Sequence, residues 1–534
     1  MKKRSTVSFF LFVLFSALLV SCLEELEDTD KLADITFEPS VDFPLVNSNF
    51  TMQEFITEGK SKARIVEQGG MMVLIYDDSL VTPPGDQFFI LPDQQSPVLS
   101  ITGPEFSFPS PGATVTITKT LNFSFNTTGT EQLDSVLIKA GQMLFEVTST
   151  FPANINLTID IAAIRTQGGS AVQQNFSFTG PGNQNPSVNL ANAVIDLTDN
   201  GTTTNTITFS ITAEITDTGQ PLNNTHQLDC SFGMDNIQFR ALFGEMGTLA
   251  FPMEADSINV DVFNSTFNGD VTLSSPSIRL TMRNSFGLPV GFDINSVQAI
   301  KLNSPVIALS GAAVSAPLNP YLLDAPDYLQ IGQTIDSEIE ITSSNSNLAQ
   351  LISSLPRYLA YQFDLSLNPP PITAKNFVLD TSRLTIGVHV ELPFHGSFSE
   401  LSLSKRFDFD GIGIDDLGRS KIKLKTINET PLDMRVQAYF VDANEVVLDS
   451  LFIDRTIVKG APVDANGFTQ SANEVEMEVP ITQAKVDRID QATHVMLVAT
   501  MITVNNGTVP VKISSTDKLQ VILGVNTRVK YNLK

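Results

Sequence analysis

The sequence predicts an all-β protein of tandem antiparallel β-sandwich domains, three repeats of about 140 residues with one short helix in at least two of them. Three observations predict it. Strand-length segments alternate apolar and polar residues, as in TNTITFSITAEIT (204–216) and YLAYQFDLSLN (358–368), the pattern of a sheet with one buried face. A strand–turn–strand signature recurs as MLFEVTSTFPANINL (143–157), SIRLTMRNSFGLPVGF (277–292) and KIKLKTINETPLDMRV (421–436). The pairs Phe108–Pro109, Phe251–Pro252 and Leu392–Pro393 lie upstream of these turns, with the prolines spaced by 143 and 141 residues. A lone sheet would leave its apolar face in water, so each repeat needs a second sheet to cover it.

The chain opens with the cationic run Met1–Lys2–Lys3–Arg4, followed by an apolar stretch from Ser8 to Val20. That stretch is too short to span a bilayer comfortably as a helix, and with its basic head it describes an export signal over 1–21. Leu19–Val20–Ser21–Cys22 resembles the lipobox of bacterial lipoproteins. The resemblance implies that Cys22 becomes the lipidated first residue of the mature chain. Composition then inverts: Glu24, Glu25, Glu27, Asp28, Asp30, Asp34, Glu38 and Asp42 face only Lys31 before Phe43. Residues 22–45 therefore read as an extended, self-repelling tether. The segment also resembles the acidic tag of Bacteroidota lipoproteins carried to the cell surface, although a solvated linker explains the charge equally simply.

Residues 46–107 carry shorter strand signals, MMVLIYDD and QFFILP, with a turn at Pro83–Pro84–Gly85. They read as an N-terminal β segment, either paired with the first repeat or forming a small cap. Repeat 1 spans 108–251, repeat 2 spans 252–392 and repeat 3 spans 393–534. Each begins with an alternating strand that ends in a polar turn: TLNFSFNTTG (120–129), SINVDVFNSTFNG (257–269) and ELSLSKRFDFDG (400–411). In each signature a short polar residue caps the turn and proline ends further pairing. Leu348, Leu351, Ile352 and Leu355 have helical spacing, with Asn347 as a cap and Pro356 as a stop. Thr482 to Ala492 is the counterpart in repeat 3, while SVNLANAVIDL (187–197) in repeat 1 reads equally as strand or helix. Each repeat closes on a long strand, the last being DKLQVILGVNTRVKYNL. The strand, Asn and Pro turn is similar to the core motif of the late-embryogenesis and water-stress β-sandwich family, which supports the fold and implies no function. The whole chain resembles multidomain, β-rich surface lipoproteins of Bacteroidota.

The balance of 33 basic and 58 acidic residues gives a net charge of −25, which repels phosphate backbones and argues against nucleic acid as a partner. Beyond Cys22 the only cysteine is Cys230, so the mature chain can form no internal disulfide, and Cys230 reads as a small buried hydrophobe. Tryptophan is absent and tyrosine sparse, whereas phenylalanine numbers 36. These aromatics build cores and carry no polar handle, which weakens a reading based on stacking sugar rings.

Chemistry-bearing motifs are few. HVELPFH places His389 and Glu391 on one strand face with His395 beyond a proline, but no third metal ligand is signalled. His226 and His494 stand alone. DFDGIGIDD gathers Asp408, Asp410, Asp415 and Asp416 as weak calcium candidates, although the EF-hand spacing fails and a solvated acidic turn is the simpler reading. No GxSxG occurs, and Ser515–Thr516–Asp517–Lys518 matches SxxK only as a short pattern. Asn-x-Ser/Thr triplets reflect strand and loop composition. Asp-Ser-apolar triplets at Ser79, Ser135, Ser257 and Ser450 resemble the Bacteroidota O-glycosylation sequon. The expectation is a non-catalytic outer-membrane lipoprotein, without cofactor or metal, acting as a structural, accessory or adhesive subunit at the cell surface. Its partners would be outer-membrane lipid through Cys22 and an outer-membrane β-barrel or other surface protein. The alternative is a glycan- or lipid-binding module of an uptake or transport system, which needs an aromatic cleft or an apolar groove between sheets.

Overall fold

The computed structural model describes residues 36–37, 39–51, 63–259, 270–301, 304–371, 375–409, 420–452, 456–528 and 531–532. Cys22 and the leader, and Asp410, Asp415 and Asp416, lie outside them.

Alternating β-branched and aromatic residues, punctuated by Gly, Pro, Asn and Asp, form strands nearly throughout. The longer described strands before the first repeat are β1 (Ser40–Thr51), β2 (Ala63–Gln68), β3 (Met71–Val81) and β4 (Leu99–Thr102). Unit 1 contains β5 (Thr114–Ser124), β6 (Gln132–Ser149), β7 (Asn154–Arg165), β8 (Ala171–Thr179), β9 (Thr206–Thr216) and β10 (Gln227–Glu245). Its front sheet runs β5–β9–β7–β8, and its back layer pairs β6 with β10 and β10 with β4. The short strand Val194–Asp196 bonds to both β6 and β7 and joins the two layers at one edge. The ambiguous segment 187–197 is thus strand: Ser187–Asn189, a turn, then Val194–Asp196.

Unit 2 contains β11 (Asp256–Asn259), β12 (Ser277–Asn284), β13 (Val290–Ile300), β14 (Ile335–Thr342), β15 (Tyr358–Leu367) and β16 (Leu384–Pro393). Its sheets run β11–β15–β13 and β14–β12–β16–β3–β2. Unit 3 contains β17 (Leu401–Asp408), β18 (Ser420–Asn428), β19 (Leu432–Val441), β20 (Asn473–Ile481), β21 (His494–Thr503) and β22 (Lys518–Arg528). Its sheets run β17–β21–β19 and β20–β18–β22–β1. All three units share one core order: β5–β9–β7, β11–β15–β13 and β17–β21–β19 in one sheet, and the pairs β6–β10, β12–β16 and β18–β22 in the other. Short helices at Leu348–Ser353 and Gln483–Ile489 fall where the spacing predicts them, burying Leu348, Leu351 and Ile352 in one and Val486 and Ile489 in the other.

The N-terminal strands are distributed over all three units. In each back sheet the last strand of the unit would be an open edge, and a donated strand covers it. β1 pairs with β22 from Ser40↔Arg528 to Thr51↔Lys518. β3 pairs with β16 from Thr385↔Val81 to Pro393↔Val73, and β4 pairs with β10. The chain thus visits units 3, 2 and 1 before it builds them in the opposite order. Thr36–Phe37 pairs with Tyr531–Asn532, which sets the start of the described chain beside its end.

The repeated turn has one physical cause. Asn428 is fully buried; its amide nitrogen donates to the Leu432 and Lys459 carbonyls at 2.8 and 3.0 Å, and its Oδ1 accepts the Thr430 N–H at 2.9 Å and hydroxyl at 2.8 Å. Asn284 repeats this with the Leu288 and Asp324 carbonyls and the Phe286 N–H. Ser149 holds the position in unit 1 and, among the described residues, its side chain accepts only the Phe151 N–H, at 3.2 Å.

Two exposed edge strands share a second device. Lys119 on β5 lies opposite Ile211, and Lys405 on β17 lies opposite Leu497, the same register counted from the repeated turn. Lys119 is tied to Glu105 at 2.6 Å and to the Ser100 carbonyl, and the Lys405 ammonium sits over the Phe50 and Phe407 rings. A lysine on the sheet-facing side of an edge strand discourages pairing with a second chain.

Candidate functional site

The unit 1 core is filled by phenylalanine: Phe145 and Phe232 lie opposite one another at 6.1 Å, and Phe209 and Phe123 pack edge-on to Phe232 at 5.1 and 5.3 Å. Four residues before the repeated turn, the Phe145–Phe232 pair becomes Leu280–Val388 in unit 2 and Leu424–Leu523 in unit 3. Two rings are thereby removed between the sheets of unit 2. A cavity of about 40 Å³ remains there, lined by Ile258, Val297, Leu359, Tyr361 and Phe363 from one sheet and Ile278, Leu280, Ile341, Val388 and Val390 from the other. By volume it has room for a few water molecules, but the surface its lining residues turn to it is apolar and offers water no partner.

Two tyrosines each pair with a carboxylate: Tyr361 with Asp256 across the neighbouring strands β15 and β11, and Tyr76 with Asp78 along the single strand β3 of the facing sheet. Tyr361 lies 3.4 Å from Asp256 Oδ2, and the Tyr76 hydroxyl on β3 donates to Asp78 Oδ2 at 2.8 Å. Burial, then Asp256, pushes the Tyr361 hydroxyl up to about 12. Burial and the hydrogen-bonded Asp78 likewise raise Tyr76. Both phenols therefore stay protonated at neutral pH. Such a site can hold a short apolar group; apart from Tyr361, whose phenol stays protonated, its lining residues are hydrocarbon side chains. Sequence reading missed these residues because each is an ordinary core residue of an alternating strand. The loss of the Phe pair is visible only once the repeats are aligned on the turn.

The structure places the other singled-out residues as follows. His389 on β16 bridges Asp77 Oδ1 at 2.5 Å and Glu391 Oε1 at 2.9 Å, and Arg64 holds the other Asp77 oxygen at 2.9 Å. His389 and Glu391 do share a strand face, but the cluster is an ion-pair network: the Asp77 bond, then Glu391, raises the imidazole above its ordinary range. His395 is lowered by burial and by Lys512. His226 accepts the Asn223 N–H, and His494 lies against Arg406. Asp408 is 98% exposed and 3.6 Å from His494 Nε2. Among the described residues no group of three or more His, Cys, Asp and Glu side chains could hold a metal ion. Ser79 and Ser257 are exposed, whereas Ser135 and Ser450 are half-buried, all four within strands. The preceding Asp side chain accepts the serine N–H at Ser79, Ser257 and Ser450. Cys230 is fully buried, its thiol pushed up to about 12 by burial and then by Asp229.

No family model and no curated protein matches the chain. A protein of Parabacteroides distasonis described as secreted is similar over 54% of this chain and 89% of its own, at 17% identity and a TM-score of 0.31. The structure of infectious bursal disease virus, Gx strain, matches over 83% and 82% at 9% identity and a TM-score of 0.15. The virus's VP2 subviral particle matches over 90% and 86% at 9% identity and a TM-score of 0.14. Likenesses this remote carry no argument about activity.

Proposed function

We propose that this chain is a non-catalytic outer-membrane lipoprotein that works at the cell surface as an adhesive or accessory subunit. The observation that supports it best is the course of the N-terminal segment. β1 is built into unit 3 along its whole length, and Thr36–Phe37 pairs beside the chain end. A lipid on Cys22 would then tether the molecule through unit 3. The chain would have to pass strands through units 3 and 2 before reaching unit 1, the unit furthest along that path from the anchor. Such an arrangement suits a module that holds one end at a membrane and offers the other to a partner.

Metabolic labelling with a palmitate analogue tests the anchor: label should appear on the wild type and vanish in Cys22→Ala. Protease shaving of intact cells tests exposure, and a protein left intact would refute the surface reading. Affinity purification from solubilised outer membrane should recover a stoichiometric barrel or surface protein if the role is accessory. The apolar cavity of unit 2 supports a second reading, a site for the end of a lipid chain. A small apolar probe such as cyclopentane should then shift the methyl resonances of Leu280 and Val388.

A further inference from the structure

We infer that the outward face of the front sheet of unit 1 is a docking surface for an uncharged, extended polysaccharide chain. The inference rests on the adhesive reading only for why unit 1 would be presented; the surface itself is argued from register. β5, β9, β7 and β8 align so that Thr118, Thr212, Thr158 and Asn175 form one row across all four strands. Similar rows lie on either side, and paired side chains lock them: Thr114 with Thr216 at 2.8 Å, Thr118 with Thr212 at 3.2 Å, and Thr158 donating to Asn175 at 2.9 Å. Strands about 4.8 Å apart and residues about 6.7 Å apart along each face make this a regular lattice of hydroxyls and amides. A hydroxyl pair uses one proton and leaves acceptor positions over, so the lattice keeps hydrogen-bonding capacity for a second layer.

Charge selects the partner. In a chain of net charge −25, only Asp160 and Glu214 are charged where the four strands of this face are in register. The back sheets of units 2 and 3 instead carry ion-pair ladders, such as Arg279–Glu338 with Arg283–Asp336, and Lys421–Glu478 with Lys425–Glu474. A polyanion is repelled by the chain as a whole, and a polycation finds stronger sites elsewhere on it. A protein partner would need an apolar centre to desolvate, and the alternation turns the large apolar residues of these strands inward. What fits is a neutral partner that itself presents hydroxyls at a regular repeat. With tryptophan absent and tyrosine sparse, each sugar is held by hydrogen bonds alone. Binding must then come from many weak contacts along a polymer.

Co-sedimentation of the purified full chain with microcrystalline cellulose, chitin and β-1,3-glucan, and with alginate gel as the polyanion, tests this. The wild type should sediment with at least one neutral polymer and not with alginate. The Thr118→Val/Thr158→Val/Thr212→Val chain, which keeps side-chain shape and β-branching but removes three surface hydroxyls, should lose about tenfold of that binding while keeping its melting temperature. Thr158→Glu/Thr212→Glu gives an independent variant with the same expected loss. No retention on any neutral polymer, or equal retention of the folded variants, overturns the inference. Because the assay uses no membrane, its failure is separate from failure of the anchoring experiments.

Discussion

Replacing the repeated turn residue by alanine in each unit should destabilise the three units in the order Asn428, Asn284, Ser149. The same place before the repeated turn carries four, three and one side-chain hydrogen bonds respectively among the described residues. All three residues are essentially buried, so water does not reach the orphaned groups without a rearrangement. An orphaned buried group costs about 1–3 kcal/mol, and partial relaxation lowers the sum. Asn428→Ala should therefore cost about 4 kcal/mol, Asn284→Ala about 3 and Ser149→Ala about 1. Three sandwich units need not unfold as one transition, so the readout must be local. Hydrogen exchange of peptides from β18–β19, β12–β13 and β6–β7 reports each unit separately, with calorimetry for the global effect. A loss at Ser149→Ala equal to that at Asn428→Ala would refute the argument, because it would show that turn geometry, and not the buried hydrogen bonds, sets the stability.

Three further outcomes follow from the same physics. Asp517 is 3% exposed and burial pushes its carboxyl up to about 6, against the Ser514 N–H and Thr469 hydroxyl it accepts. Its native form holds the proton more tightly than the unfolded chain, so stability should fall by about 2–3 kcal/mol as pH rises from about 4 past 6; Asp517→Asn should remove that slope in pH-dependent urea unfolding. Val388→Phe should restore one ring of the lost pair and stabilise unit 2 by about 1 kcal/mol, from about 24 cal/mol per Å³ of filled cavity, and a lower melting temperature would show that the cavity cannot accept it. A chain starting at Ala63 removes β1 from the β22 edge; exchange should rise in β18 and β22 while units 1 and 2 keep their protection, and uniform loosening of all units would contradict the strand-by-strand donation.

The sequence by itself determined most strands of the repeats, the threefold repeat, both short helices and the polar turn residue, but not that the chain from Ser40, read as tether, is already strand. Each of these rests on local chemistry: a period of two, a helical spacing of Leu348, Leu351 and Ile352, or one short side chain bonding within a few residues of itself. Cys230 as a buried hydrophobe and the shared face of His389 and Glu391 were legible for the same reason. Tertiary structure alone decided which edges the N-terminal strands cover. Val41 meets Thr527 and Asp77 meets His389 across hundreds of residues, and an alternating strand fits many edges, so periodicity cannot choose among them. It also decided both candidate surfaces. The unit 2 cavity exists because Leu280 and Val388 face one another where unit 1 sets two phenylalanines. The hydroxyl lattice exists because threonines from separate stretches of chain fall into common rows. Register across a sheet is a non-local property, paid for in loop-closure entropy and settled only when the strands meet.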